Sequence, residues 1–262
     1  MRTAKIPQSA IDNLFVSSNL IKLFEMYEKY GFEIRIIGGA VRDLLLKGQA
    51  RDIDLATDAT PTESLYLLNE EEDDLEVVGS WGIRHGTVVA AFTDEEQYEI
   101  TSLDFSISVQ DGKIIISQKP NWEDDAKRRD FTVNAMSMDK HGKVFDYLNG
   151  IEDLKNEEVK FIGDYKEVIP DSPIIIFRFF KLLGKFKNPK YDKNIIPFIK
   201  ENVDLIKHIK DETIKWFIVN TKNQPYGMNA IKLMEEAGIY VQDFVESKSI
   251  LGLYLQRAFV GD

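Results

Sequence analysis

The chain has 262 residues, 44% of them hydrophobic, and its formal net charge at pH 7 is −11. This length allows one large domain or two smaller ones, and the composition excludes a disordered or fibrous chain. The sequence has no cysteine, which excludes disulfides and cysteine-ligated zinc, and no apolar run approaches membrane-spanning length. We therefore expect a soluble, cytoplasmic protein with no membrane partner.

The first predicted element is an amphipathic helix. Apolar residues recur at helical spacing from Ile11 to Tyr27. Gly31 follows this pattern, and glycine is the residue that most often ends a helix. Because the helix leads into the first predicted strand, we expect it to pack on a sheet.

The next element is a short apolar strand, Ile34–Ile37, which passes through Gly38 and Gly39 into a helix that Gly48 is placed to end. Such a turn predicts an anion site. The glycines let a phosphate approach the backbone, while the free N–H groups and the helix dipole favour negative charge. Arg42, in the first helical turn, would add a forked cation.

A second strand is predicted to carry two acidic residues. Side chains alternate along a strand, so Asp52 and Asp54 would emerge on one face while Ile53 and Leu55 face the core. Two neighbouring carboxylates repel each other unless a cation lies between them, and hard oxygen ligands suit Mg²⁺. A solvated edge strand is the alternative. The Gly-Gly turn just before this strand favours a nucleotidyl-transfer site.

Further along the chain, residues 60–63 (Thr-Pro-Thr-Glu) have the form of a capping box and predict the start of a helix. That helix runs into five acidic residues, 70–74, which we interpret as a solvated loop. Two β-rich runs, Val88–Phe92 and Tyr98–Leu103, predict a hairpin. Glu99 alternates with apolar neighbours and would therefore lie on the face opposite to theirs.

Residues 110–113 (Gln-Asp-Gly-Lys) predict a second hairpin turn. A second polar motif follows, in which Arg128, Arg129 and Asp130 precede Asn134 by about one helical turn. An aspartate can accept a hydrogen bond from a ribose hydroxyl while an arginine binds phosphate oxygens. The alternative is an exposed helix start of mixed charge.

Three segments together resemble the head domain of class II tRNA nucleotidyltransferases (CCA-adding enzymes) and bacterial poly(A) polymerases, which belong to the polymerase β nucleotidyltransferase superfamily. They read GGAVRD from Gly38, RDIDLATDATP from Arg51 and RRDFTVNAM from Arg128. The similarity extends from Ile11 to Asp153, weakens through Gly238 and cannot be traced further. It implies an α+β fold, in which a polymerase β-like head with a mixed sheet (residues 1–150) precedes an all-helical neck region (residues 151–262).

The resemblance also implies a role for each motif. Asp52, Asp54 and Glu99 would be the catalytic carboxylates, with Asp52 and Asp54 binding Mg²⁺. The implied nucleotide-binding residues are Gly38, Gly39, Arg42, Arg128, Arg129, Asp130, Asn134 and Arg178. In the second half of the chain, apolar spacing predicts helices at Ile174–Phe186, Ile195–Ile209, Asp211–Asn220, Ala230–Gly238 and Ile250–Phe259.

The neck departs from the family pattern. Relatives carry an acidic-acidic-x-x-Arg motif, whose aspartate and arginine hydrogen-bond the incoming base. Alignment through Pro173 and Arg178 places Asp171 and Ser172 on the acidic pair and Ile175 on the arginine. The resemblance therefore implies that the catalytic residues are kept while base selection is altered.

We expect Mg²⁺-dependent transfer of a nucleoside monophosphate from an NTP (ATP, CTP or both) to a hydroxyl. The resemblance implies an RNA 3′ end, of tRNA or a tRNA-like molecule, as the acceptor. Two alternatives remain open. One is transfer to a protein or to a specialised RNA, and the other is a non-catalytic nucleotide- or RNA-binding module. The net negative charge counts against tight RNA binding. A local basic patch could still be formed by Lys181, Lys185, Lys187, Lys190 and Lys193.

Overall fold

The structure is a computed structural model. It describes residues 1–50, 52–71, 75–78, 86–93, 95–103, 105–110, 113–118 and 120–245. The chain divides into two compact units, Met1–Asn156 and Glu157–Asp262. The domain boundary expected after residue 150 falls within a helix, Gly150–Lys155, that belongs to the first unit. In the described part of the chain, no helix is both long and apolar enough to cross a membrane.

The first unit combines helices with a sheet. Its described helices are α1 (Gln8–Leu14), α2 (Ser18–Lys29), α3 (Gly39–Lys47), α4 (Pro61–Glu71), α5 (Trp122–Lys127) and α6 (Gly150–Lys155). Its described strands are β1 (Arg2–Lys5), β2 (Ile34–Ile37), β3 (Asp54–Thr57), β4 (Leu75–Val78), β5 (Thr87–Phe92), β6 (Gln97–Ser102), β7 (Phe105–Gln110), β8 (Lys113–Gln118), β9 (Ser137–Met138) and β10 (Lys143–Asp146).

Eight of these described strands form one mixed sheet in the order β1-β10-β9-β2-β3-β6-β5-β4, and β7 pairs with β8 in a separate hairpin. Neighbouring strands are antiparallel except for β3 and β6, which are parallel. All four residues of β2 are buried, as expected for a central strand. On β6 the buried residues alternate with more accessible ones. The mixed sheet with helices confirms the predicted α+β head.

The N-terminal helix differs from its prediction. The single helix expected from Ile11 to Tyr27 was wrong, because the chain forms two helices, α1 and α2. Ser17 separates them, since its side-chain oxygen accepts a hydrogen bond from the backbone N–H of Asn19 at 3.2 Å and caps α2. Serine is a preferred cap, so this side chain starts a new helix rather than continuing the old one.

The capping box before α4 is confirmed. The backbone N–H of Thr60 donates to the Glu63 carboxylate at 2.7 Å, and the N–H of Glu63 donates back to the Thr60 hydroxyl at 3.1 Å. The two bonds satisfy donors that a helix start leaves without intrahelical partners. Glu70 and Glu71, expected in a loop, belong to this helix, and residues 72–74 lie outside the described residues.

Both predicted hairpins are present. β5 pairs with β6, and the register between β7 and β8 places Gln110 opposite Lys113, although residues 111 and 112 lie outside the described residues.

The described residues of the second unit are mainly helical. Its helices are α7 (Tyr165–Asp171), α8 (Ile175–Leu183), α9 (Ile195–Glu201), α10 (Asp211–Lys222), α11 (Gly227–Glu236) and α12 (Val241–Val245), with a 3₁₀ helix at Val203–His208. The single helix predicted at 195–209 was wrong. The chain changes from α9 to the 3₁₀ helix at Asn202, whose side chain donates to the Phe198 carbonyl at 2.9 Å. The helix predicted at 250–259 lies outside the described residues.

Candidate active site

The Gly-Gly turn has the predicted form. Strand β2 ends at Ile37, and Gly38 caps helix α3 with φ 68° and ψ −130°. Residues that have a Cβ atom rarely adopt this conformation, whereas glycine adopts it readily. The backbone N–H of Gly38 donates to the Met136 carbonyl at 3.1 Å, which fixes the turn to the start of β9. Helix α3 ends at Gly48, which is in the left-handed conformation. The first-turn N–H groups of such a helix have no intrahelical partner and favour an anion.

Arg42 lies beneath this turn rather than in open solvent. Arg42 is only 8% exposed, and its guanidinium forms an ion pair with Asp43 at 2.9 Å. Another of its N–H groups donates to the Asn134 side-chain oxygen. A Cβ placed on Gly39 would lie 3.4 Å from the guanidinium, so the arginine packs directly against the turn. Arg42 is therefore placed to stabilise the glycine turn.

Asn134 links this arginine to the second motif. Its side-chain N–H donates to the Asp130 carboxylate at 3.0 Å, and the same carboxylate oxygen accepts from the backbone N–H of Phe131 at 2.8 Å. Asn134 ends a short 3₁₀ helix, Thr132–Asn134, instead of lying on a longer α-helix. The turn after β2 and the Arg-Arg-Asp motif are thus joined by one hydrogen-bonded chain.

The charge of Asp52 acts on Asp54, but the two residues are not arranged as strand alternation predicted. Strand β3 begins at Asp54, so Asp52 lies in a bend before the strand rather than on it. Desolvation raises the pKa of the Asp54 carboxyl, Arg129 lowers it, and the negative charge of Asp52 raises it. The Asp54 carboxylate therefore experiences both a second carboxylate and a guanidinium.

Glu99 lies on the neighbouring strand. In the parallel register between β3 and β6, Leu55 pairs with Ile100. Asp54 and Glu99 each precede one of these buried residues, so both lie on the opposite sheet face, where both are exposed. The alternation predicted for Glu99 is confirmed, and the topology brings Asp54 and Glu99 together from distant parts of the sequence.

The donor atoms suit Mg²⁺, because paired carboxylates supply hard oxygens whose mutual repulsion a divalent cation would offset. Within the described ranges, no group of three or more acidic or histidine side chains is arranged to hold a metal ion. The predicted trio of Asp52, Asp54 and Glu99 is thus not assembled in these side-chain positions.

The arginines of the second motif follow α5, whose first turn is capped by the Asn121 side chain. The Arg129 guanidinium pairs with Asp125 one turn earlier at 2.8 Å, and Arg128 approaches the same carboxylate at 3.7 Å. The Arg129 side chain is half-buried and Arg128 is more exposed. Asp125 was missed by sequence reasoning, although its spacing of four residues from Arg129 is that of a helical ion pair.

Sequence reasoning also missed Arg35, which lies within the buried strand β2. Its guanidinium carbon lies 4.0 Å from the ring centroid of Trp122 and 3.7 Å from that of Phe145. It also forms an ion pair with Glu33 at 2.7 Å. A charged residue inside an apolar strand, Ile-Arg-Ile-Ile, was the signal that could have identified it.

In the second unit, the positions aligned to the family's base-reading motif have different environments. Asp171 ends α7 and Ser172 follows it, and both residues are exposed. Ile175 begins α8 and is only 5% exposed, so its side chain belongs to the core. Arg178, one turn further on, is exposed.

Comparisons with known proteins identify the type of domain. Residues 34–160 match the family model for the Poly A polymerase head domain. The mitochondrial CCA tRNA nucleotidyltransferase 1 of Homo sapiens is 36% identical over 214 residues, which are 81% of this chain and 48% of that protein. The CCA-adding enzyme of Lactobacillus helveticus is 33% identical over 241 residues, 90% of this chain and 58% of that protein.

A solved structure gives the same result. The crystal structure of the Bacillus stearothermophilus CCA-adding enzyme in complex with CTP matches with a TM-score of 0.69 and 25% identity, and the match covers 84% of this chain and 52% of that chain. The chain spans about half the length of the curated relatives it matches.

The mixed sheet and the family match together identify residues 34–160 as the head domain of a nucleotidyltransferase. Residues 34–160 belong to the Poly A polymerase head domain family, and the chain is similar to class II tRNA nucleotidyltransferases over about half of their length. The family resemblance seen in the sequence is thereby confirmed. Nucleotidyltransferases of this kind generally use a divalent metal.

Proposed function

We propose that the chain transfers a nucleoside monophosphate from an NTP to the 3′-hydroxyl of an RNA, with tRNA or a tRNA-like RNA as the acceptor. One observation carries the proposal: Asp54 lies on an exposed sheet face, where the charges of Asp52 and Arg129 both act on the pKa of its carboxyl. Nucleotidyl transfer needs carboxylates for a metal beside a cation for phosphate oxygens. One relative is named a CCA tRNA nucleotidyltransferase, which supports tRNA as the acceptor. A similar solved structure is described as a complex with CTP, which supports an NTP as the donor.

The glycine turn would bind the triphosphate. The N-terminus of the nine-residue helix α3 presents backbone N–H groups, and Gly38 and Gly39 allow phosphate oxygens to come close. Because Arg42 is buried and bound to Asp43 and Asn134, its role in this proposal is to hold the turn and add positive potential.

Arg128 and Arg129 would bind phosphate oxygens directly, because their side chains remain accessible and guanidinium groups bind phosphate with two parallel hydrogen bonds. Asp130 would accept a hydrogen bond from a ribose hydroxyl, and Asn134 would orient its carboxylate.

We propose Mg²⁺ as the metal and Asp52 and Asp54 as its ligands. Held by these residues, Mg²⁺ would stabilise negative charge at phosphorus and activate the attacking hydroxyl. Glu99 would be the third carboxylate. It lies on the strand next to Asp54 and on the same exposed sheet face.

We propose that base selection is weak. A site that hydrogen-bonds its substrate rejects other bases strongly, because a mismatch leaves buried polar groups unpaired. Ser172 is short and neutral, and Ile175 is apolar and buried, so neither can take the part of an aspartate or an arginine. Arg178 is the exposed cation of this segment and remains a proposed nucleotide ligand.

The cytoplasmic location also stays a prediction.

The test is to incubate the purified protein with labelled ATP or CTP, Mg²⁺ and total cell extract, and to follow the label into RNA or protein. Label at RNA 3′ ends that is lost in Asp54→Ala supports the proposal. Label in protein would show a different acceptor, and binding of NTP without transfer would show a non-catalytic module. Glu76→Ala is the matched control, because Glu76 is an exposed carboxylate on the edge strand β4.

A further inference from the structure

A buried arginine is sandwiched between two aromatic rings in the first unit. Arg35 is 5% exposed, with its guanidinium between the rings of Trp122 and Phe145 at the distances given above. It also donates to the Ser137 hydroxyl at 3.2 Å. A cation this close to two ring faces is attracted by both, and the attraction is stronger when water is excluded.

Glu33 joins the arginine to the tryptophan. One carboxylate oxygen accepts from Arg35 at 2.8 Å, and the other accepts from the indole N–H of Trp122 at 2.8 Å. The indole is therefore fixed in two ways, by stacking on the guanidinium and by this hydrogen bond. Trp122 also packs against a buried apolar cluster formed by Ile37, Ala56 and Leu103.

Trp122 is the first residue of α5, the helix that leads to Arg129. The helix has only six residues and follows the β7–β8 hairpin, which is not part of the main sheet. A helix this short is not stable by itself, so tertiary contacts must hold it in place. Arg129 is bound to Asp125 of the same helix, and its position therefore depends on where α5 is docked.

The choice of residues is not explained by packing alone. The other residues of β2 are isoleucines, and an aliphatic side chain at position 35 would avoid the cost of burying a charge. A guanidinium instead offers a planar face to Trp122 and a fork to Glu33, which together orient the indole. Arg35 also lies opposite Ala56, two residues from Asp54, so the same strand pair carries the anchor and the catalytic carboxylate.

We propose that Glu33, Arg35 and Trp122 are positioning residues for the nucleotide. They anchor the start of α5 to the sheet and so keep Arg129 beside Asp54, where it can bind the phosphates of the NTP. This inference rests on the proposed function, because it gives these residues a part in the same reaction.

Kinetics give the first test. We expect Trp122→Leu to lower kcat/KM for the NTP by roughly 10- to 100-fold, mainly through KM, because small displacements of a binding group reduce rates by such factors. Acceptor affinity should not change. Trp122→Phe and Arg35→Lys keep the ring and the charge respectively and should have smaller effects. The matched control is Trp216→Leu, which removes a tryptophan 4.8 Å from Lys181 in the second unit.

A double-mutant cycle separates positioning from general destabilisation. If Trp122 acts through Arg129, then Trp122→Leu should add almost nothing once Arg129→Ala has been made. Fully additive losses would overturn the proposal. If Trp122→Leu does not fold, the same cycle with Trp122→Phe or Arg35→Lys decides the matter.

A third measurement does not depend on activity. Because the chain has no cysteine, Lys127→Cys gives a single site for a nitroxide spin label on the exposed side of α5. We expect Trp122→Leu to mobilise this label in the folded full chain and Arg35→Lys to mobilise it to a smaller extent, while Trp216→Leu does not. An immobile label in these variants would overturn the anchor. A mobilised label in a chain that transfers no nucleotide would show instead that the anchor is right and the proposed function is wrong.

Discussion

Replacing Asn134 by alanine would remove the side chain that joins the glycine turn to Asp130. Because Arg42 is 8% exposed, water cannot easily replace the lost acceptor, and a hydrogen bond to a charged group is worth about 1.5–3 kcal/mol. Asp130 keeps its bond from the Phe131 N–H, so the second loss adds about 0.5–1.5 kcal/mol. We therefore expect the free energy of unfolding of the first unit to fall by about 2–4.5 kcal/mol.

Urea unfolding followed by tryptophan fluorescence measures this change in a Trp216→Phe background. The remaining tryptophans, Trp81 and Trp122, both come before residue 157 in the sequence, so the signal does not come from the second unit. The control is Asn156→Ala, which removes an exposed hydrogen bond to Glu152 and should cost less than about 0.5 kcal/mol. If Asn134→Ala cost no more than this control, the buried Arg42–Asn134 bond would not stabilise the turn, and the reasoning would be refuted.

Three further predictions concern separate parts of the chain. Asp54→Ala should abolish nucleotide transfer without lowering the thermal stability, because the residue is exposed and its removal relieves repulsion. Glu99→Gln keeps an oxygen ligand and should retain measurable transfer. Thr60→Ala should lower the free energy of unfolding by about 1 kcal/mol in urea, and an unchanged value would mean that the capping box contributes nothing. Ile175→Arg should destabilise the second unit severely, since it buries an unpaired charge. Circular dichroism would show this loss of folded structure. A separate assay, extension of a trimmed tRNA with each NTP in turn, would show whether Ser172→Asp alone sharpens base choice.

Local features of the site could be predicted from the sequence. The turn at Gly38 depends on residues that adjoin it in the chain, and so does the capping box at Thr60, where the donors and acceptors are three residues apart. The position of Asp52 could not be predicted in the same way. Strand alternation assumes that the strand is already formed at that residue, whereas pairing with β2 begins only at Asp54, opposite Ile37.

The local pattern marks Arg35 as a charged residue in an apolar strand, but it does not show what Arg35 contacts. Its partners Trp122 and Phe145 lie far along the chain, and nothing near Arg35 in the sequence shows that the two rings meet around it. The family resemblance suggested which residues bind the substrate, because these proposed ligands form short motifs. It did not identify the residues that hold those motifs in place.

The order of strands in the sheet has a consequence for how the protein is made. On one side β2 pairs with β3, which follows soon after it in the sequence. On the other side it pairs with β9, so that Ile36 lies opposite Met138, about a hundred residues later in the sequence. Contacts this distant in sequence form slowly, because a long loop must close before they stabilise anything. A nascent chain that has left the ribosome only as far as β6 already contains Asp54 and Glu99 but lacks Arg129 and the central strand's second neighbour. During synthesis, the carboxylate pair is therefore exposed before the cation that accompanies it exists.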